Sequence, residues 1–261
     1  MHKKAIQTMN NKQINTYSTG RIAKIVGLHP NTVRKYEEWG LIHKHERKPN
    51  GYRIYNDIHI LQFRLAKKAF QIVIMQSGLR ERIVKVVKLS AEYRFDEAIE
   101  LAEEYIEVAR QEIENAKEAA KICETLYRQP SQNDGIVYKR SQAAKELGLT
   151  IDTIRNWEMK GLLTVKRKEN GYRVYDSKDI NRLKIIRSLR CANYSLSAIL
   201  RMLNRYDGKM DKNDILDILN TPEDDEDIIS ACDKLIVSLN AAIENAYDVI
   251  SIINEIERIK N

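Results

Sequence analysis

The sequence predicts a mainly α-helical protein in which one compact unit is used twice, each use followed by a long helix. Three observations carry that prediction. TVRKYEEWGLI at 32–42 returns as TIRNWEMKGLL at 153–163, NGYRIY at 50–55 returns as NGYRVY at 170–175, and each half continues into apolar residues spaced alternately by three and four. Self-similarity at a fixed offset is the mark of duplication. Tyr17 aligns with Tyr138, Ala23 with Ala144, Gly27 with Gly148, Arg34 with Arg155, Glu37 with Glu158 and Gly40 with Gly161. One residue is then lost within a loop, and Gly51, Arg53 and Tyr55 match Gly171, Arg173 and Tyr175.

Each copy opens with a short helix carrying Ile22, Ala23 and Val26, or Ala143, Ala144 and Leu147. It ends at Gly27 or Gly148, because glycine enters the left-handed region without a Cβ penalty. A second helix starts behind His29-Pro30 in one copy and Thr150 in the other, the latter an N-cap, and closes at Gly40 or Gly161. Two short helices joined by a glycine-containing turn form a helix-turn-helix, whose second member is shaped to enter a major groove. The apolar pairs Leu41-Ile42 and Leu162-Leu163 then face Tyr52–Tyr55 and Tyr172–Tyr175 across Asn-Gly. That pattern predicts a hairpin, a wing, in each copy.

The stalks follow. Ile99, Ala102, Ile106, Ala109, Ile113, Ala116, Ala120, Cys123 and Tyr127 form one seam, and Ile229, Cys232, Ile236, Leu239, Ile243, Ala246, Ile250 and Ile253 form the other. Such seams predict coiled-coil helices. Thr221-Pro222-Glu223-Asp224 reads as the N-cap region of the second. The expected domains are a flexible tail at 1–16, the first winged helix-turn-helix at 17–93, its coiled-coil helix at 94–128, a linker at 129–136 containing QPSQNDG, the second winged unit at 137–208 and the second coiled-coil region at 209–261. With each stalk available to the other, the two halves are expected to pack as an intramolecular pseudo-dimer.

Charge bears on function. Lys and Arg outnumber Asp and Glu by 44 to 37, giving a net charge of +7. The excess gathers at 43–53 and 164–173, while 96–118 and 223–227 are acidic. Segregated sign suits a polyanion on one face, although two solvated basic loops would look the same. Three cysteines without CxxC spacing argue against a disulfide framework or structural zinc, so no metal and no cofactor are expected. There is no signal peptide pattern and no run of 18 or so uninterrupted apolar residues, which points to a cytoplasmic protein without a membrane partner. The absence of a Walker loop, HExxH or GxSxG argues against an enzyme.

The order T-x-R-x-[Y/W]-E-x-x-G-L, basic loop, N-G-Y-R-x-Y, apolar helix, long helix resembles the MerR family of transcription regulators, once per half. The resemblance implies double-stranded DNA as partner, RNA polymerase as a further partner at a promoter, and distortion of promoter DNA. Family members of this type carry one unit per chain and form homodimers; two units in one chain imply an asymmetric operator. A homodimer with stalks paired between chains is the competing assembly. An architectural chromosome-organising protein of low sequence specificity is the alternative function.

The residues expected at DNA are Thr19, Asn31, Thr32, Arg34, Lys35, Tyr36, Lys48, Tyr52 and Arg53 in the first half, and Arg140, Asp152, Thr153, Arg155, Asn156, Trp157, Lys166, Lys168, Tyr172 and Arg173 in the second. Arginine is the usual reader of guanine's major-groove edge, but Arg34 and Arg155 also stand three residues before Glu37 and Glu158, a common helix pairing. The wing lysines, arginines and tyrosines suit phosphates, which set register without reading sequence. Tyr36 and Trp157 fit a core role equally well. Cys123 and Cys232 would approach one another if the stalks ran antiparallel, as a thiol pair or as small buried apolar groups.

Overall fold

A computed structural model describes residues 15–72, 74, 77–128, 136–166, 171–206, 215–222 and 231–261. The expected tail, the QPSQNDG linker, Lys168, Ile229 and the acids of the Thr221–Asp224 cap therefore lie wholly or largely outside the described residues. The elements in order are α1 (Thr19–Val26), α2 (Pro30–Glu38), β1 (Glu46–Arg47), β2 (Arg53–Ile54), α3 (Asp57–Ala69), α4 (Leu79–Ala91), α5 (Phe95–Arg128), β3 (Tyr138–Lys139), α6 (Arg140–Glu146), α7 (Ile151–Met159), β4 (Val174–Tyr175), α8 (Ser177–Cys191), α9 (Leu196–Tyr206), α10 (Ile215–Asn220), a 3-10 turn (Ala231–Lys234) and α11 (Leu235–Lys260).

The chain forms two compact units, and neither is a simple half. One takes residues up to Gln71, then Glu81–Glu103 and Asn245–Asn261; the other takes Ile72–Arg80 and Glu104–Glu244. Each unit thus contains one helix-turn-helix together with stalk segments from both long helices.

In the first unit, α1 is capped by the Ser18 side chain, which accepts from the Arg21 N–H, and it stops at Gly27, whose φ of 65° lets the cap N–H reach the Ala23 carbonyl. α2 starts at His29, whose Nδ1 accepts from the Asn31 N–H at 3.2 Å, with Pro30 in the first turn. Gly40 and Gly161 both carry positive φ, so the turn chemistry expected at those glycines is realised. Ile22, Ala23, Val26, Val33, Ile42, Tyr55, Ile60 and Phe63 close the core beneath α2.

The wing differs from the expected hairpin. Leu41 and Ile42 are buried in the core, and the outer strand is the charged pair Glu46–Arg47, in register with Ile54 and Arg53. Burying each aliphatic side chain is worth about 1.5–3 kcal/mol, so the apolar pair goes inward and the strand falls to residues with nothing to bury. The Lys48 N–H to Tyr52 carbonyl bond and the Gly51 N–H to Lys48 carbonyl bond, both 2.8 Å, close the tip. A further strand precedes each helix-turn-helix: Tyr17 pairs with Tyr55, and Tyr138–Lys139 pairs with Val174–Tyr175. In the second wing Leu162 and Leu163 are likewise buried, and the Val174 N–H reaches the Lys166 carbonyl at 3.1 Å.

The stalk segments pack against their own units. In the first, Lys68 Nζ lies 2.8 Å from Asp248, and Lys260 sits 4.2 Å above the Tyr93 ring. In the second, the Asn193 amide donates to Glu112 at 2.7 Å, and the Cys123 thiol faces the Ile185 carbonyl. Ala102, Ile106, Ala109, Ile113, Ala116, Ala120 and Cys123 of the α5 seam are buried, as are Leu239, Ile243, Ala246 and Ile253 of α11. The stretch Ala231–Lys260 is long and apolar enough to cross a membrane by length and composition.

Candidate nucleic-acid interface

The second helix of each helix-turn-helix splits its residues between core and solvent according to helical period. On α2, Val33 is fully buried while Asn31, Arg34 and Lys35 are exposed and Thr32 is half-buried. On α7, Ile154 is buried while Asp152, Arg155 and Asn156 are exposed and Thr153 is half-buried. The two outward faces therefore present different chemistry on one scaffold. Asn31 accepts a 2.7 Å bond from Arg34, which holds that guanidinium along the helix surface. Arg155 has no hydrogen-bond or ion-pair partner among the described residues.

The expected alternative for these arginines, pairing with the glutamate three residues on, does not occur, because each glutamate is taken by the wing. Glu37 receives Arg53 Nε at 2.6 Å, with His45 Nδ1 at 3.1 Å and Arg47 at 3.9 Å. Glu158 receives Arg173 Nε at 2.9 Å and Arg140 Nη2 at 2.8 Å, and it also bonds the Tyr175 hydroxyl. Arg53 and Arg173, expected at phosphates, and Arg140, expected at DNA, are therefore partly committed inside the protein. Their guanidiniums tie the wing, and in the second unit the start of α6, to the second helix of the helix-turn-helix. Burial first, and the Glu158 bond second, push the Tyr175 hydroxyl up to about 12, so it stays protonated as a donor.

The two candidate aromatics turn inward. Trp157 is only 5% exposed and belongs to the core, because its position on α7 falls on the same face as Ile154. Tyr36 is half-buried, stacked at 6.0 Å on Phe63 and edge-on to Phe70. Tyr52 and Tyr172, by contrast, are more than two-thirds exposed at the wing tips. Lys48 and Lys166 are exposed, and Thr19, half-buried, opens α1 where Arg140 opens α6. In the second unit Lys139, Arg140, Ser141, Tyr172 and Arg173 line a cleft of about 870 Å³ between β3 and the wing.

Sequence reasoning missed Glu37 and Glu158 as the hubs of the site, along with His45 and Arg47. The available signal was the pairing of E in the helix with R after N-G-Y in both copies. It also missed Arg21, exposed on α1 with its guanidinium over the Tyr17 ring. Beneath the first wing lie three histidines. His59 is buried, caps α3 by accepting the Asn56 N–H, and is pushed down to about 4, chiefly by burial. His45 stacks on Tyr55 and is also lowered by burial, against the pull of Glu37. His43 bonds the Ala91 carbonyl through Nδ1 at 3.0 Å. Burial likewise pushes the Cys123 thiol up to about 12, the state of an unreactive apolar side chain.

Comparison with known proteins places this geometry. Residues 18–55 match the family model described as MerR family regulatory protein, and residues 138–206 match the one described as MerR HTH family regulatory protein. The HTH-type transcriptional regulator AdhR of Bacillus subtilis is 43% identical over 61 residues, which cover 23% of this chain and 44% of that protein. The HTH-type transcriptional regulator CueR of Salmonella typhimurium is 40% identical over 67 residues, 25% and 49% of the two chains. The HTH-type transcriptional regulator ZntR of Escherichia coli is 36% identical over 69 residues, 26% and 49%. The chain spans about half the length of the curated relatives it matches. No solved structure matches it significantly.

Proposed function

We propose that the chain, whose residues 18–55 and 138–206 each match a MerR family model, is a sequence-specific, double-stranded DNA-binding regulator of transcription. Both heads of a single chain engage one operator as a pseudo-dimer. The observation that carries this reading is the pair of exposed recognition faces, Asn31, Arg34 and Lys35 against Asp152, Arg155 and Asn156, held by equivalent glutamate hubs. Similar scaffolds with different reading residues fit an asymmetric site.

Support for the pseudo-dimer comes from the make-up of the two units. The first head shares its unit with the end of α11, and the second shares its unit with most of α5. Each head is thus built onto stalk residues from both halves of the chain. A covalent tether gives the second head an effective concentration that reaches roughly millimolar when the span fits. Palindromy is then unnecessary. Distortion of promoter DNA and contact with RNA polymerase belong to the same proposal.

Selection of bound fragments from random DNA, with mass determination of the complex, tests it. The expected result is an asymmetric site of roughly 20 base pairs, two half-sites one helical turn apart, bound by one chain. A palindrome bound by two chains would overturn the pseudo-dimer. Affinity for random DNA within roughly tenfold of the best site would replace regulation with an architectural role, since specific readers discriminate by about a thousandfold or more.

A further inference from the structure

We propose that Asp152 is a specificity-determining residue that makes the second head require a cytosine, and that this requirement is absent from the first head. The inference rests on the DNA-binding reading above and deepens it.

Asp152 stands in the first turn of α7, exposed, with its carboxylate unpartnered among the described residues. Arg155 stands three residues on, on the same face of the helix and also unpartnered, so the two side chains meet a ligand together. A carboxylate only accepts hydrogen bonds, and next to DNA it is repelled by every phosphate. In the major groove only exocyclic amines can satisfy it: the N4 amine of cytosine, its usual partner, or the N6 amine of adenine, whose adjacent N7 is an acceptor that repels a second oxygen. Cytosine presents no such neighbour beside N4. Arg155 then takes guanine, through N7 and O6, at an adjoining position.

The aligned residue in the first head works differently. Asn31 spends its carbonyl oxygen on Arg34, which leaves its amide hydrogens and the guanidinium facing outward. That face offers donors, which suit guanine or thymine oxygens and phosphates alike. Lys35 adds charge where the second head has Asn156. The first head therefore supplies attraction with a tolerant code, and the second supplies discrimination. An acid at a helix N-terminus also favours the helix dipole, a role that a thermal melt separates from base reading.

The test is selection from random DNA with wild type, Asp152→Asn and Asn31→Asp, each with a thermal melt. Wild type is expected to select a cytosine at one position of a single half-site. Asp152→Asn should relax that position by roughly tenfold while binding random DNA more tightly, and Asn31→Asp should create a cytosine preference in the other half-site. If Asp152→Asn lowers the melting temperature and weakens all sites equally, the residue serves only the helix and the inference fails. If wild type selects an asymmetric site whose bases do not respond to Asp152→Asn, the inference falls and the DNA-binding reading stands. If wild type selects no sequence, both fall.

Discussion

Acid should weaken the first head through His59, and the size of the effect follows from its surroundings. The ring is 4% exposed, its Nδ1 accepts the Asn56 N–H at 3.1 Å, and its Nε2 has no hydrogen-bond partner. The Tyr55 ring stands edge-on at 5.5 Å, and the facing histidines 43 and 45 add repulsion to any charge placed there. In the unfolded chain the imidazole titrates near 6.5, and in the fold it is pushed down to about 4. The native state thus binds the proton less readily than the unfolded state. Its contribution is fully present above about pH 6.5, is lost as pH falls through that value, and levels off below the folded value. Between pH 7 and 5 the difference amounts to about 2 kcal/mol. His45, also lowered by burial, adds in the same direction. Urea unfolding across that range, in wild type and in His59→Gln, measures it. Glutamine at this position keeps the capping box, since Gln serves that role, but cannot titrate. Wild type should lose about 2 kcal/mol more than the variant over that range. Equal acid slopes in the two proteins would refute the reasoning.

Other outcomes follow from the same geometry. Glu158→Ala removes a side chain only 5% exposed that serves Arg140, Arg173 and Tyr175 together, and should cost about 3 kcal/mol in urea unfolding; a loss under about 0.5 kcal/mol would mean that the hub contributes no stability. Cys191 is exposed while Cys123 and Cys232 are buried, so native protein should take up one equivalent of iodoacetamide, read by mass, and three after unfolding. Rapid labelling of all three in the native state would contradict the buried placement. Arg155→Ala should weaken protection of only one half of a DNase footprint and Arg34→Ala only the other; loss spread evenly over both halves would argue against separate heads.

Much of this molecule was legible in its sequence, and the reason lies in what local pattern reports. Gly27, Gly40, Gly148 and Gly161 marked helix ends because positive φ is a property of a single residue. Thr150 marked a helix start for a similar reason, its hydroxyl accepting from the Thr153 N–H at 3.0 Å. The stalk seams were readable because periodicity reports which side of a helix is buried. It does not report the partner. The strand Glu46–Arg47 has no apolar alternation, and the pairing of Tyr17 with Tyr55 spans a whole helix-turn-helix, so neither leaves a local trace. Arg53 and Arg173 looked like phosphate hooks because charge in a loop says nothing of the carboxylate that receives it.

The glutamate hubs show how the two copies diverged while keeping one geometry. In both, the carboxylate on the second helix of the helix-turn-helix receives the arginine that follows Asn-Gly-Tyr. Beyond that shared bond the partners differ. Around Glu37 stand the His45 ring at 3.1 Å and Arg47 at 3.9 Å, both from the wing, whereas Glu158 is completed by Arg140 from the start of α6 and by the Tyr175 hydroxyl. The second hub is the more buried, 5% against 17% exposed, and it holds two guanidiniums within 3 Å where the first holds one guanidinium and an imidazole at 3.1 Å. A guanidinium keeps its charge at any physiological pH and an imidazole does not. Burial keeps the His45 ring uncharged near neutral pH, so the close ion pairing of Glu37 rests on Arg53, while that of Glu158 rests on Arg140 and Arg173. A pH-dependent change in DNA affinity should accordingly appear only in acid, below the usual histidine range, and in the part of the footprint that Arg34→Ala weakens, while the part that Arg155→Ala weakens keeps its protection.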